Sequence, residues 1–436
     1  MDRYPTEPIK CWDRAKKMRA DWYKDLTRRG GIRIMGSAWA FDAVPMGLGR
    51  DVRWMAGEPY GASCAARPEL SSRFMTAAEN FGFSRDICAY MRNYWGSILC
   101  NEYAFGGAFP KADLAYTQHI CCSHAKWYQN AIALEGGGIP FFAVDVGAGP
   151  YPPFAPEMYE HRIRYVTDQL LDSIDWLEET TGRTFQDDLF VEAAWNDIRT
   201  TRAWAEICHL NRAVPAPLDE KSLYSLYVFA ALQKSNGAFA DFYEKELLVE
   251  VRDRVDRGIA AVGNERARVM TDTQPPWGSL SIYRHLEKWG VVSMGSLYTF
   301  GLEGMWLFDK DSQRLLPRPL PPENPQSREE ACRMLADWHL SRPEYQHFYS
   351  PRYKTDMMDA IARGWKVDGI ILHYNRGCEG LSMGIAENRL GLIDRGHRVM
   401  TYEGNMGDQR EFDMQTTEKR IDIFLESLGL PRPKDP

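Results

Sequence analysis

At 436 residues the chain is too long for one compact core and long enough for two or three domains. Its composition, 44% hydrophobic and 26% charged, is that of an ordinary globular protein, and a net charge of −7 argues against a nucleic-acid binder. No apolar run approaches the ~18–20 residues of a membrane span, and the opening MDRYPTEPIKCWDRAKK carries charge where a secretory leader would be apolar, so neither membrane nor export is expected and the cytoplasm is the expected compartment.

Trp12, Met18, Trp22 and Leu26 recur at helical spacing and predict a leading helix within residues 1–30. GIRIMG (31–36) reads as a short strand, and DVRWMAGEPYG as a strand running into a turn. Residues 68–82 and 84–100 have helical patterning. LAYTQ (114–118) is a strand that ends where His119-Ile120-Cys121-Cys122 begins; a helix over 123–134, a triple-glycine stop and the strand PFFAVDV (140–146) follow. Strand, helix, strand in this rhythm predicts a parallel sheet with helical crossovers. From about 155 to 258 long charged helices dominate. Strand signals return at ARVMTD (267–272) and DGIILHY (368–374), separated by a helical and proline-rich stretch that includes the surface excursion PRPLPPENP (317–325). The chain closes with a strand–turn–helix–strand unit and a helix over 412–428.

Nine cysteines, an odd number, include no CxxC pair, which excludes a zinc ribbon or ferredoxin-type run as a local motif. Any metal ligands must be gathered from distant loops, and a packed apolar thiol is the ordinary reading of most of these residues. Ligands of parallel α/β sheets collect beyond the carboxyl ends of the strands. Cys121 and Cys378 both follow strands, one in each half, and Cys88 opens a helix whose dipole favours thiolate. Three such thiolates in an interdomain cleft could hold three irons of a [4Fe–4S] cluster, although spacing alone does not select these three from the nine.

The segments GEPYGA (57–62), RDICAYMRNYWGS (85–97), ADLAYTQHICCSHAKWYQ (112–129), GIILHYNRGCEGLSMG (369–384) and EKRIDIFLESL (418–428) resemble, in order and spacing, the active-site subunits of the 2-hydroxyacyl-CoA dehydratase and benzoyl-CoA reductase family. YPTEPIKCW (4–12), CAYMRNYWG and HAKWYQ look most like the larger subunit of ATP-dependent benzoyl-CoA reductase. The resemblance implies Cys88, Cys121 and Cys378 as ligands of a [4Fe–4S] cluster, with Cys122, where relatives carry aspartate, as an alternate ligand or a packed thiol. It implies low-potential, one-electron reduction of an aromatic acyl-CoA to a cyclic dienoyl-CoA. The chain has no GxxxxGK[ST] loop, so ATP would be handled by an ATP-hydrolysing iron–sulfur activator fed by ferredoxin, alongside a homologous second active-site subunit and a CoA thioester substrate. The alternatives are a 2-hydroxyacyl-CoA dehydratase subunit, which eliminates water without net reduction, and a non-catalytic partner subunit.

Acids are needed beside such a cluster, and His119, His124 and His373 flank its turns as candidate proton donors. Glu58 resembles a family position near the substrate carbonyl. Lys126 and Arg376 are placed to offset cluster charge or meet a CoA phosphate, and Ser37 is a further substrate-binding candidate. Trp39, Trp95, Trp127 and Tyr94 are candidates for an aromatic pocket wall, with plain core as the ordinary alternative; Met383 and Met406 are expected to be packing residues. The expected architecture is α/β, with two Rossmann-like or flavodoxin-like parallel-sheet domains, at 31–154 and 261–436, and a helical bridging segment at 155–260.

Overall fold

Alternation along the first strands already places a buried sheet. In β1 (Ile32–Gly36), Ile34 and Met35 face different hydrophobic clusters; so do Trp54 and Met55 in β2 (Val52–Ala56), and Leu114 and Ala115 in β3 (Leu114–His119). With β4 (Phe141–Asp145) these strands form one parallel sheet in the order β2-β1-β3-β4. Helix Pro156–Thr181 covers one face with Ile163, Leu170 and Ile174, joined by Ala331 and Leu335 of helix Arg328–Leu340. The opposite face shares a core that continues into the second half of the chain. These relations come from a computed structural model, which describes residues 3–28, 30–147, 156–309, 314–343 and 350–433. The expected junction at 154/155 lies outside the described residues.

In the second half, β5 (Ala267–Thr271) and β6 (Val291–Ser296) precede a hairpin of β7 (Trp306–Asp309) and β8 (Arg314–Pro317), and then come β9 (Gly369–Asn375) and β10 (Val399–Gly404). The sheet is again parallel, in the order β10-β9-β5-β6. Numbered within its own half, each sheet has the order second, first, third, fourth. The crevice beyond the strand ends therefore opens, in both halves, between the first strand and the third. Helix Asp187–Leu210 ties the two halves together: Gln186 N–H donates to the Gly47 carbonyl at 2.8 Å, while Trp204 Nε1 donates to the Thr299 carbonyl at 2.8 Å and Trp365 Nε1 to the Cys208 carbonyl at 2.9 Å.

Three local readings differ from the sequence expectation. GEPYG is not a turn but the start of helix Gly57–Ala65, because Pro59 sits in the first turn, where its missing N–H costs nothing. The stretch 84–88 stays outside helix Ala89–Leu99, leaving Cys88 at its N-cap. Strand β6 and the β7–β8 hairpin were not anticipated. In β6 every residue is buried, so no polar–apolar alternation marks it. Among the described residues, no helix is long and apolar enough to cross a membrane.

Candidate active site

Carboxyl ends of strands from both sheets face one cavity. After β1 come Ala38 and Trp39; after β2, Glu58; after β3, Cys121, Cys122, Ser123 and His124. From the second half come Gln274 after β5, Tyr298 and Leu302 after β6, Cys378 after β9 and Met406 after β10. Cys88 and Tyr90 lie at the head of helix Ala89–Leu99, and Tyr227 enters from the bridging helices.

The two cysteine-bearing turns touch directly. Ala89 N–H, next to Cys88, donates to the carbonyl of Gly377, next to Cys378, at 3.3 Å. A Cβ on Gly377 would meet Asn405 Oδ1 at 2.6 Å and Ala89 Cβ at 3.1 Å, so only glycine allows this approach. Gln274 Nε2 lies 3.5 Å from Cys378 Sγ, and its own carbonyl accepts from His373 Nδ1 at 2.8 Å.

Beside the thiols, Glu58 and His124 form a buried pair. The second carboxylate oxygen of Glu58 accepts the Ala38 N–H at 2.7 Å. The Ala38 carbonyl in turn accepts from Lys234 Nζ at 2.6 Å, and Lys234, 1% exposed at its side chain, is paired at 2.9 Å with Asp42. Burial alone would lower His124, but the facing Cys121 sulfur and Glu58 carboxylate outweigh it and raise the imidazole to about 10. Burial would likewise push the Cys121 thiol up, yet the charge of His124 holds it below its ordinary value. Burial pushes Cys378 up to about 12 and raises Cys88 further, with the neighbouring Cys378 sulfur adding to the Cys88 shift. The helix dipole expected to favour a Cys88 thiolate is thus overridden by desolvation.

This donor set fits an iron–sulfur cluster better than a single ion. Among the described residues, no three His, Cys, Asp or Glu side chains converge as one ion requires. Cys88, Cys121 and Cys378 instead line one cavity, each within electrostatic reach of the other two. Such thiols ionise together only around a cationic body.

Of the acid–base and substrate-binding candidates singled out from sequence, Glu58 and His124 border this cavity, and His119, His373, Lys126, Arg376 and Ser37 do not. His119 is half-exposed at the end of β3 with Asp145 at 3.7 Å. His373 is buried behind Gln274 and stacked on Tyr402. Lys126 is exposed and reaches Gln129 at 3.1 Å, and Arg376 is exposed and paired with Glu403. Ser37 is fully buried beside the lining, its hydroxyl without a hydrogen-bond partner among the described residues. Tyr94 and Trp95 belong to the core, so the aromatic wall is Trp39 and Trp127 with Tyr90, Tyr227 and Tyr298. Cys122 is exposed rather than packed, and so is Met383, whereas Met406 is buried on the lining. Gln274 and the three tyrosines were not singled out from sequence. The carboxyl end of the strand at 267–272 was the available signal for Gln274; nothing local marks the tyrosines.

The chain is 25% identical over 398 residues, 89% of each protein, to the (R)-2-hydroxyisocaproyl-CoA dehydratase alpha subunit of Clostridioides difficile. It is 24% identical over 371 residues, 84% of this chain and 82% of the other, to the (R)-phenyllactyl-CoA dehydratase alpha subunit of Clostridium sporogenes. It is also 25% identical over 315 residues to the (R)-2-hydroxyglutaryl-CoA dehydratase, subunit alpha, of Acidaminococcus fermentans, a match covering 71% of this chain but only 59% of that longer relative. These names favour the dehydratase alternative over the aromatic reductase that the sequence segments suggested. Because its residues 38–428 match the family described as 2-hydroxyglutaryl-CoA dehydratase, D-component, the chain belongs to that family.

Proposed function

We propose that this chain is an iron–sulfur active-site subunit of a 2-hydroxyacyl-CoA dehydratase. The observation carrying this reading is the cavity itself: three thiols from two sheet edges, with a buried carboxylate–imidazole pair beside them. Cys88, Cys121 and Cys378 would hold a [4Fe–4S] cluster, whose chemistry is low-potential electron transfer to a CoA thioester. The chain's own work is then to bind, orient and manage protons. The Cys121 sulfur and the Glu58 carboxylate together favour the protonated imidazole of His124, which can donate a proton to an acyl oxygen. Lys234 fixes the Ala38 peptide, and the Ala38 amide fixes Glu58. The aromatic wall keeps the reacting carbon dry. We read each half as a flavodoxin-like variant of the doubly wound fold, supported by the shared strand order. The subunit would work with a homologous second subunit and an ATP-hydrolysing activator supplied by ferredoxin.

A second reading, the larger subunit of an ATP-dependent benzoyl-CoA reductase, is favoured by the five aromatic rings lining the cavity and by the segments 4–12 and 88–96. Anaerobic turnover of the complex with its activator separates the two. A dehydratase converts a 2-hydroxyacyl-CoA to the 2-enoyl-CoA with reductant far below one equivalent per turnover. A reductase consumes two electrons per aromatic acyl-CoA and yields a cyclic dienoyl-CoA. Absence of iron and sulfide from anaerobically purified protein overturns both.

A further inference from the structure

Apart from Glu379, beside Cys122, the carboxylate and amide side-chain acceptors of the cavity lining are already engaged, while several donors are not. The Glu58 carboxylate is engaged by Ala38 and His124, and the Gln274 side-chain oxygen already accepts from Asn375 Nδ2 at 2.9 Å. Trp127 borders the cavity, is 1% exposed, and its Nε1–H meets no acceptor among the described residues. Tyr90, Tyr298 and Tyr227, on the same lining, form a chain of hydroxyls. Trp277 Nε1 donates to Tyr90 Oη at 2.5 Å, Tyr90 pairs with Tyr298, and Tyr298 Oη lies 2.9 Å from Tyr227 Oη. Three hydroxyls carry three protons but make only two contacts with one another, and Tyr90 is already an acceptor from outside the chain. One proton is left over however the others point. Burial pushes all three phenols up, so each keeps its proton.

Buried donors without acceptors are rare in folded proteins and call for a partner. We propose that Trp127 Nε1–H and the surplus proton of the Tyr90–Tyr298–Tyr227 chain are specificity determinants that recognise an oxygen of the acyl group additional to its thioester carbonyl, such as a 2-hydroxyl. An unsubstituted ring or alkyl chain offers these hydrogens no lone pair and leaves them orphaned, whereas a hydroxyl satisfies them. A site built around a substrate hydroxyl discriminates strongly against the analogue that lacks it. The inference rests on the CoA-thioester reading above and specifies which acyl groups that reading admits.

The test is binding without turnover. In the absence of activator and ATP, the anaerobic complex is titrated by calorimetry with (R)-phenyllactyl-CoA and with 3-phenylpropanoyl-CoA, which differ only in the 2-hydroxyl. The native protein is expected to bind the hydroxylated ester at least about tenfold more tightly. Trp127→Phe keeps an aromatic side chain but removes the N–H donor, and the double variant Tyr227→Phe/Tyr298→Phe keeps both rings but removes two hydroxyls of the chain. Both are expected to reduce the preference to about twofold, by weakening the hydroxylated ester and sparing the other. Equal affinities in the native protein, a comparison that needs no variant, overturn the inference while leaving the thioester reading intact. An undiminished preference in both variants overturns it as well. Failure of both esters to bind overturns the inference and the reading together.

Discussion

Glu58 and His124, 66 residues apart in the chain, meet as a buried pair whose carboxylate is also held by a backbone amide. Glu58→Gln keeps an acceptor for Ala38 but removes the charge that supports the imidazolium. Removing one partner of a buried pair typically costs about 3–5 kcal/mol, and retention of the amide contact places this variant near the lower end. The expected result is a loss of about 3 kcal/mol in chemical denaturation, together with loss of turnover. Unchanged stability and turnover would show that the pair is ornamental.

Lys234 and Asp42 carry the same logic one layer further out. Both side chains are essentially unexposed, and Lys234 also holds the Ala38 carbonyl. Lys234→Met strands a carboxylate and should cost about 3–5 kcal/mol, whereas Lys234→Met with Asp42→Asn, which removes the charge but keeps an acceptor for the Ser235 N–H and hydroxyl, should recover part of that loss. Denaturant midpoints of the two variants check this; a double variant as unstable as the single one would mean that packing, not charge, is the larger effect.

Acid stability follows from two histidines. Burial lowers His373 to about 4, and burial with the nearby Arg342 lowers His339 to about 4 despite the opposing Asp197. An unfolded histidine takes up its proton near pH 6.5, so between about pH 6.5 and 4 the unfolded chain binds more protons than the fold. Stability is therefore full above about pH 6.5 and falls as the pH drops toward 4. Each fully buried imidazole accounts for about 3 kcal/mol across that window. Denaturation of His373→Gln at pH 7.5, 6 and 5 should show a shallower decline than the native protein; an identical slope would refute the assignment.

Iron content distinguishes the cysteines. Cys378→Ala, Cys121→Ala and Cys88→Ala are each expected to lower iron and acid-labile sulfide sharply, whereas Cys122→Ala leaves both near native values. Cys122 borders the same cavity but is exposed. Loss of iron in Cys122→Ala with retention in Cys121→Ala would exchange their roles.

The sequence carried those parts of the site that depend on position along a strand. Cys121 and Cys378 could be placed because β3 and β9 are strongly patterned and the carboxyl-edge rule says where ligands gather. Side-chain direction was beyond it. His119, His124 and His373 were equivalent on the page, yet His124 faces the cavity, His119 faces Asp145, and His373 turns behind Gln274. Strand β6 was missed because Ser293, Gly295 and Ser296 interrupt its apolar run, and with it went Tyr298. Tyr227 reaches the cavity only through packing between the bridging helices and the second half, a contact set by tertiary assembly rather than by local pattern.

The hydrogen bond from Ala89 to Gly377 clamps two remote loops together with nothing but polypeptide. Because the link runs from main chain to main chain, exchanging the side chain at position 89 leaves it in place, whereas any side chain at position 377 collides with Asn405 and forces the loops apart.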